Sequence, residues 1–135
     1  MVENSSVVTT FLECVTGASV HAGLFAPDAV LDATVPNWRF QAKGANAIVR
    51  ELSEWYADVG QFTSLQRLAT ENGEVVEFTL TWMENDVAHL CHQSHALTVH
   101  DGKIANDVAF CGGRWPEALQ EQMAAAQRAS DGAPG

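Results

Sequence analysis

The sequence predicts an α+β fold in which a curved antiparallel or mixed β-sheet wraps around N-terminal helices and encloses a cone-shaped cavity. Two observations predict it. Helical periodicity dominates residues 5–25 and 45–58, whereas residues 62–111 are dominated by strand-like segments between short turns. Two helices with a short hairpin between them, followed by a long meander of strands, form an α+β pattern.

Length and composition limit the classes of function. The chain has 135 residues, 47% of them apolar and 18% charged, which suits one globular domain. We assign this domain to residues 1–129 and expect residues 130–135 to be a flexible tail. The net charge of −10 argues against nucleic acid and anionic membranes as partners. Three unevenly spaced cysteines and an N-terminus without a signal-peptide pattern favour a cytoplasmic location.

Three helices are predicted. Apolar residues recur at spacings of three and four over residues 5–25, with a break near 17–19 and with Pro27 closing the segment. Residues 116–129 favour a terminal helix. Residues 45–58 form the second helix, whose buried stripe is Ile48, Val49, Leu52, Trp55 and Tyr56.

A short hairpin is predicted between the first two helices. Residues 29–35 form a strand that ends at Pro36-Asn37, and residues 38–41 are its partner. Side chains alternate along a strand, so Trp38 and Phe40 are expected on one face and Arg39 on the other.

Two further hairpins follow. Residues 62–71 and 74–84 flank Asn72-Gly73, a strong hairpin signal, and Asn85-Asp86 then turns the chain into residues 87–99. A two-residue loop at the second turn specifies the register. The pairs in that register are Trp82 with His89, Leu80 with Cys91, and Phe78 with Gln93.

The last hairpin lies within His89–Trp115 and allows two registers around residues 100–102. A two-residue loop pairs Val99 with Ile104, whereas a three-residue loop pairs Val99 with Lys103. We favour the three-residue loop because it collects ionisable side chains on one face beside small neighbours. The pairs in that register are His95 with Asp107, Cys91 with Cys111, and Gln93 with Ala109.

Asp107 and His95 are the candidate catalytic residues. A lone carboxylate on an apolar strand face is costly unless it is paired or used in chemistry. In the functional interpretation, Asp107 moves a proton while His95 polarises a carbonyl or holds Asp107 ionised. In the structural interpretation, Asp107 only forms an ion pair with His95 or Arg39.

An apolar wall and a rim complete the predicted cavity. Small-molecule pockets are mostly apolar with a few polar groups. His89 is expected at the mouth, near Trp82. His89, Cys91 and His95 share a face, but their spacing of about 7 Å per pair of residues along a strand does not converge on one metal ion. The predicted substrate-binding residues are Trp38, Phe40, Trp55, Tyr56, Phe78, Trp82 and His89.

Three stretches of the chain resemble the nuclear transport factor 2-like superfamily, most of all its SnoaL-like branch, which includes polyketide cyclases and lies near ketosteroid isomerases. The stretches are LFAPDAVLDATVPNWRF at 24–40, GANAIVRELSEWYADVG at 44–60, and the DGKI turn at 101–104. The resemblance spans about Phe11 to Trp115. It implies a cystatin-like cone-shaped sheet, no cofactor, and Asp107 with His95 at the acid/base positions of a cyclase.

The chain also departs from two activities of that superfamily. Ala33 stands nearest to the general base Asp of ketosteroid isomerases, with Asp32 one place off, and the only tyrosine, Tyr56, is not in the first helix. Epoxide hydrolases of the superfamily use an Arg-x-Asp sequence, which is absent. The sequence therefore argues against steroid isomerisation and epoxide hydrolysis.

The outer face of the sheet is a predicted dimer interface. Val108 and Phe110 are apolar on a face expected to meet solvent, and the resemblance implies dimerisation through this sheet. The residues predicted on that face are Ser94, Ala96, Thr98, Asn106, Val108 and Phe110.

The functional prediction is a small, cofactor-free enzyme that cyclises or isomerises a hydrophobic carbonyl-containing metabolite by acid/base chemistry. One alternative is a non-catalytic protein that holds a small apolar ligand in the same cone. Another is an interaction subunit whose cavity is packed shut by Trp82 and Trp55.

Overall fold

A mixed seven-stranded sheet is the main structural layer of residues 2–132, the part of the chain that this computed structural model describes. Its strands are β1 (Phe25–Val35), β2 (Trp38–Lys43), β3 (Gly60–Thr70), β4 (Gly73–Glu84), β5 (Val87–His100), β6 (Lys103–Cys111) and β7 (Trp115–Pro116). The helices are α1 (Val2–Gly17), α2 (Ala45–Trp55) and α3 (Glu117–Asp131), with a 3-10 turn at Ala22–Leu24.

The sheet confirms the predicted fold class. Its strand order is β2-β1-β6-β5-β4-β3, with β7 pairing β5. The β1–β6 pair is parallel and the other pairs are antiparallel, so the sheet is mixed. Helices α1 and α2 pack on its inner face and bury apolar side chains there, each worth about 1.5 to 3 kcal/mol when fully buried. The buried side chains of these helices include Val8, Phe11, Val15, Ile48 and Leu52.

The first helix is shorter than predicted. It ends at Gly17, and Ala18 takes a left-handed conformation with φ 53°. The prediction that Pro27 closes the helix is wrong, because Pro27 lies inside β1. Proline has no N–H to donate to a regular ladder of hydrogen bonds. Pro27 is tolerated because the ladder between β1 and β6 is irregular between Phe25 and Val30.

The β3–β4 hairpin turns one residue earlier than predicted. Gly73 pairs with Thr70 and begins β4, so the turn residues are Glu71 and Asn72. A Cβ added to Gly73 would lie 1.9 Å from the carbonyl oxygen of Leu97. The glycine is therefore required by the close approach of β5 rather than by a left-handed turn.

The β4–β5 hairpin has the predicted register. Asn85 and Asp86 form a two-residue loop with φ 52° and 64°, the left-handed conformation that asparagine and aspartate tolerate. The predicted pairs, all present, are Trp82 with His89, Leu80 with Cys91, and Phe78 with Gln93.

The β5–β6 register differs from the predicted one. The loop is Asp101-Gly102, which pairs Val99 with Ile104, so the three-residue loop was wrong. An extra residue on β6, Ala105, then shifts the register beyond Thr98. The pairs that result are His95 with Ala109, Leu97 with Asp107, and Gln93 with Cys111.

Helix α3 continues to Asp131, two residues into the segment predicted as a tail. Residues 133–135 of that segment lie outside the described part of the chain. None of the described helices is both long and apolar enough to cross a membrane.

Candidate active site

His95 and Asp107 form a fully buried pair beneath the helices. Their side chains point to the same face, and the imidazole Nδ1 lies 2.9 Å from Oδ2 and 3.0 Å from Oδ1 of the carboxylate. Both residues are 0% exposed. Phe78 stacks on the imidazole with ring centroids 5.7 Å apart, and Phe11 meets it edge-on at 5.1 Å. Removal of one partner would leave the polar atoms of the other without their hydrogen bond in an apolar site.

The far side of the imidazole contacts Tyr56 and Gln93. Nε2 of His95 lies 3.0 Å from Tyr56 Oη and 3.3 Å from Gln93 Oε1. The Tyr56 hydroxyl donates a short hydrogen bond to the same Oε1. Burial raises the pKa of Tyr56 well above its usual value, so this hydroxyl keeps its proton and remains a donor.

The imidazole of His95 joins the two sides of this network. Its Nδ1 contacts the Asp107 carboxylate, and its Nε2 contacts the Tyr56 hydroxyl. One ring therefore fixes the carboxylate, the phenol and the Gln93 amide relative to one another.

Gln93 is oriented by this network. Its Oε1 is used by Tyr56 and His95, so its Nε2 points the other way and donates to Cys111 Sγ at 3.4 Å. An amide nitrogen carries two hydrogens, and one of them makes this bond to Cys111.

A cavity of about 240 Å³ lies beside this amide. Trp55, Trp82, Val35 and Pro36 give it apolar walls, while its polar side chains are Gln93, Cys91, Cys111 and Arg114. Asp107 and His95 do not line the cavity, because Gln93 and Tyr56 occupy the space beside the imidazole.

The pKa values of the two cavity cysteines are shifted in opposite directions. A hydrogen bond from Cys91, and a smaller contribution from the Gln93 amide, lower the pKa of Cys111 to about 6. The contact with Cys111 and burial raise the pKa of Cys91. Cys111 is therefore the more acidic thiol of the pair, and Cys91 the less acidic one. Within residues 2–132, all three cysteines are free of disulfide bonds.

The rim of the cavity is held by Arg114 and Glu84. The Arg114 guanidinium lies 5.1 Å from the Trp82 ring centroid and donates to Glu84 Oε1 at 2.7 Å. The hydrogen bond from Trp82 Nε1, with the charge of Arg114, keeps the pKa of Glu84 below its usual value. His89 stacks on Trp82 at 5.6 Å, which places it on the rim beside Trp82.

The other predicted binding residues divide into three groups. Trp55 and Trp82 line the cavity. Tyr56 and Phe78 lie below it, against His95. Phe40 lies partly buried on β2. Trp38 is 68% exposed at the start of this edge strand and does not form part of the cavity wall.

Gln93, Cys91, Cys111 and Arg114 were not predicted as site residues. Gln93 lies between Cys91 and His95 in the inward alternation of β5, which is the signal that identifies its face. Arg39 is not a partner of Asp107, because it forms a bidentate pair with Asp32 at 3.0 and 2.7 Å. In the part of the chain that the structure describes, no three His, Cys, Asp or Glu side chains converge as a metal site.

No protein-family model matches the sequence, and no curated protein matches it. Solved structures do match the fold. A nuclear transport factor 2-like protein from Anabaena variabilis has a TM-score of 0.69 at 12% identity, covering 82% of this chain and 90% of that one. A candidate isomerase from Bacillus subtilis has a TM-score of 0.67 at 13% identity, covering 82% and 86%.

A candidate polyketide cyclase from Xanthomonas campestris has a TM-score of 0.63 at 15% identity, covering 80% of this chain and 89% of that one. At identities this low, structural similarity establishes the fold but not the activity, which must be argued from the site. The protein therefore has the nuclear transport factor 2-like fold, as the sequence resemblance predicted.

Proposed function

We propose that the protein is a cofactor-free enzyme that moves a proton on a small, hydrophobic carbonyl compound, in an isomerisation or cyclisation. The observation that carries the proposal is the orientation of Gln93. Its amide oxygen is held by Tyr56 and His95, and its amide nitrogen faces a largely apolar cavity. A fixed hydrogen-bond donor in a site with little water is the arrangement that stabilises an enolate oxygen.

The buried hydrogen-bond network supports this role. As a proton leaves the carbon next to a carbonyl, negative charge develops on the carbonyl oxygen that accepts a hydrogen bond from Gln93. Tyr56 and His95 hold the oxygen of the same amide, so its nitrogen is already oriented when that charge develops. One such donor typically contributes a factor of about 10² to 10³ in kcat. In this proposal Asp107 and His95 are positioning residues that act through Gln93.

Cys111 is the proposed proton acceptor. Its thiolate lines the cavity, 3.4 Å from the Gln93 amide nitrogen. A base with a pKa of about 6 is ionised at neutral pH, which general base catalysis requires.

The size of the cavity limits the substrate. Its volume of about 240 Å³ lies below the usual range of about 300 to 1,000 Å³ for ligand sites. A compound with a single ring fits this volume, whereas a compound with several fused rings requires the cavity to open. We therefore place the substrate among small monocyclic or acyclic carbonyl compounds.

Substituted phenols test the proposal, because a phenolate resembles an enolate in charge and shape. Trp55 and Trp82 line the cavity, so their fluorescence reports binding. Affinity is expected to follow the acidity of the phenol and to fall about 10-fold or more in Gln93→Leu. Gln66→Leu on exposed β3 is the matched control. Equal phenolate affinity in Gln93→Leu and the native protein overturns the proposal.

A second candidate function is ligand binding without turnover. It is favoured by the observation that neither Asp107 nor His95 lines the cavity. In that case an apolar compound binds with an affinity that is independent of phenol acidity and of Gln93, and it is recovered unchanged after long incubation.

We also propose that the outer sheet face forms a homodimer. Phe110 is 54% exposed there, and it lines a groove of about 600 Å³ together with Ser94. Charge repulsion from Phe110→Asp is expected to shift the protein to monomer in sedimentation. Val59→Asp, at a 73% exposed apolar residue between α2 and β3, is expected to leave the mass unchanged. A native protein that sediments as a monomer overturns this assembly. The free thiols suit a reducing compartment such as the cytoplasm.

A further inference from the structure

Two thiols and an amide meet at one end of the cavity. We propose that Cys111 is a nucleophile that adds reversibly to the β-carbon of an α,β-unsaturated carbonyl compound, with Cys91 as the proton donor. The inference rests on the proposed carbonyl site at Gln93, and it names the substrate class of that site.

The geometry brings the three groups together. Gln93 stands opposite Cys111 across the β5–β6 ladder, and Cys91 is two residues away on the same face of β5. All three line the cavity, and Gln93 donates to Cys111 Sγ at 3.4 Å. A carbonyl oxygen that accepts from the second hydrogen of the amide thus lies on the same side of the ligand as the sulfur.

The charges around Cys111 favour attack by sulfur. The Cys91 thiol lowers the pKa of Cys111 most, burial opposes it, and the Gln93 amide, the backbone N–H of Gly113 and the nearby His95 lower it further. Arg114 beyond β6 lies close enough to lower the pKa of Cys91. A thiolate is the reactive form of cysteine, and an adjacent thiol that holds its proton is a source of that proton.

The step balances without a further reagent. The Cys111 thiolate forms a bond to the β-carbon, and the alkene electron pair moves to give an enolate whose oxygen accepts a hydrogen bond from Gln93. The enolate α-carbon then takes the proton of Cys91, which leaves Cys91 as a thiolate. In reverse, Cys91 removes the α-proton and Cys111 leaves. Rotation about the single bond between the two steps isomerises an acyclic alkene.

Cys14 provides an internal comparison. It is buried in α1, and burial raises its pKa, so it is a poor nucleophile. A reagent that reacts with any exposed cysteine modifies Cys14 and Cys111 alike once the chain unfolds. Modification of Cys111 alone therefore shows that the folded site directs the reaction.

The test uses 2-cyclohexen-1-one on the native protein at neutral pH. Intact mass followed by peptide mapping is expected to show one adduct, on Cys111. The adduct is expected to persist in Cys14→Ser, to disappear in Cys111→Ser, and to form at least 10-fold more slowly in Gln93→Leu. Cys91→Ala is expected to slow net addition about 100-fold, the size of a general acid contribution. Circular dichroism checks that each variant is folded.

Cyclohexanone separates this inference from the proposed function, because it has a carbonyl but no alkene. Exchange of its α-hydrogens for deuterium in the presence of native protein, with no cyclohexenone adduct, overturns the nucleophile and leaves the proton-transfer proposal standing. An adduct on Cys111 without exchange supports the nucleophile and overturns proton transfer from unactivated ketones. An adduct that appears on Cys14 as readily as on Cys111 overturns the inference.

Discussion

His95 Nδ1 lies 2.9 Å from Asp107 Oδ2 although the two residues are not cross-strand partners. Leu97 stands opposite Asp107, and Ala109 stands opposite His95, so the pair bonds along a diagonal of the sheet. Diagonal neighbours are about 7 to 8 Å apart, within reach of a long side chain. The small side chain of Ala109 leaves room for the imidazole to lean towards Asp107.

Asp107→Asn is expected to destabilise the protein by about 1 to 3 kcal/mol, the cost of weakening a buried hydrogen-bonded pair. The amide has one acceptor oxygen where the carboxylate has two, so it holds Nδ1 of His95 less strongly. Urea denaturation at neutral pH measures the loss. Asp32→Asn is the matched control, since its partner Arg39 is 70% exposed and the pair is screened by water. Equal losses in the two variants would contradict an energetically important buried pair.

The face on which each residue of β5 and β6 lies was predictable from alternation, whereas the pairing was not. The predicted register placed His95 opposite Asp107, and the observed register places it opposite Ala109, two residues further on. A shift of two residues preserves every face, so the inward residues were identified correctly. The bulge at Ala105 has no local sequence signal that distinguishes it from a longer turn.

The cavity walls were harder to predict than the sheet. Trp55 and Trp82 were predicted because large aromatic residues recur on inward positions, but Trp38 satisfies the same alternation on a strand that has only one neighbour. The role of Gln93 depends on Tyr56, 37 residues away in the chain at the end of α2. Such a contact depends on how α2 docks on the sheet, which a local pattern does not contain.

Gly73→Ala is expected to destabilise the protein by about 1 to 3 kcal/mol or more, as overpacking does, because the new Cβ meets the Leu97 backbone. A backbone group cannot move aside as the end of a flexible side chain can. Thermal denaturation measures the effect. Gly17→Ala is the control, since a Cβ there has no neighbour within 4 Å, and it is expected to leave stability unchanged or slightly raised. A Gly73→Ala variant as stable as Gly17→Ala would contradict the close approach of β4 and β5.

Stability is expected to depend on pH through the cysteine pair. The pKa of Cys111 falls from 9.0 to about 6 on folding, so between pH 6 and 9 the unfolded state binds more protons at this thiol. Its contribution therefore rises with pH across that window and is lost as pH falls through about 6. Above pH 9 the raised pKa of Cys91 acts in the opposite direction.

The measurement is the difference in unfolding free energy between native protein and Cys111→Ser, followed by urea denaturation under reducing conditions from pH 5 to 9. Taking the difference removes the titration of groups that the two proteins share. A difference that stays flat over this range would show that Cys111 is an ordinary thiol, and would remove its proposed role as base.

Arg114→Lys is expected to speed the release of a bound phenol about two- to five-fold, with little change in association. The planar guanidinium stacks on Trp82 while it pairs with Glu84, and an ammonium group does not maintain both contacts in that geometry. An exposed cation–π contact is worth about 0.5 to 1 kcal/mol, which corresponds to this factor. Stopped-flow tryptophan fluorescence measures both rates. Arg39→Lys makes the same change in the ion pair with Asp32 and is expected to alter neither rate. If the release rate is unchanged in Arg114→Lys as well, Arg114 does not restrain the cavity rim.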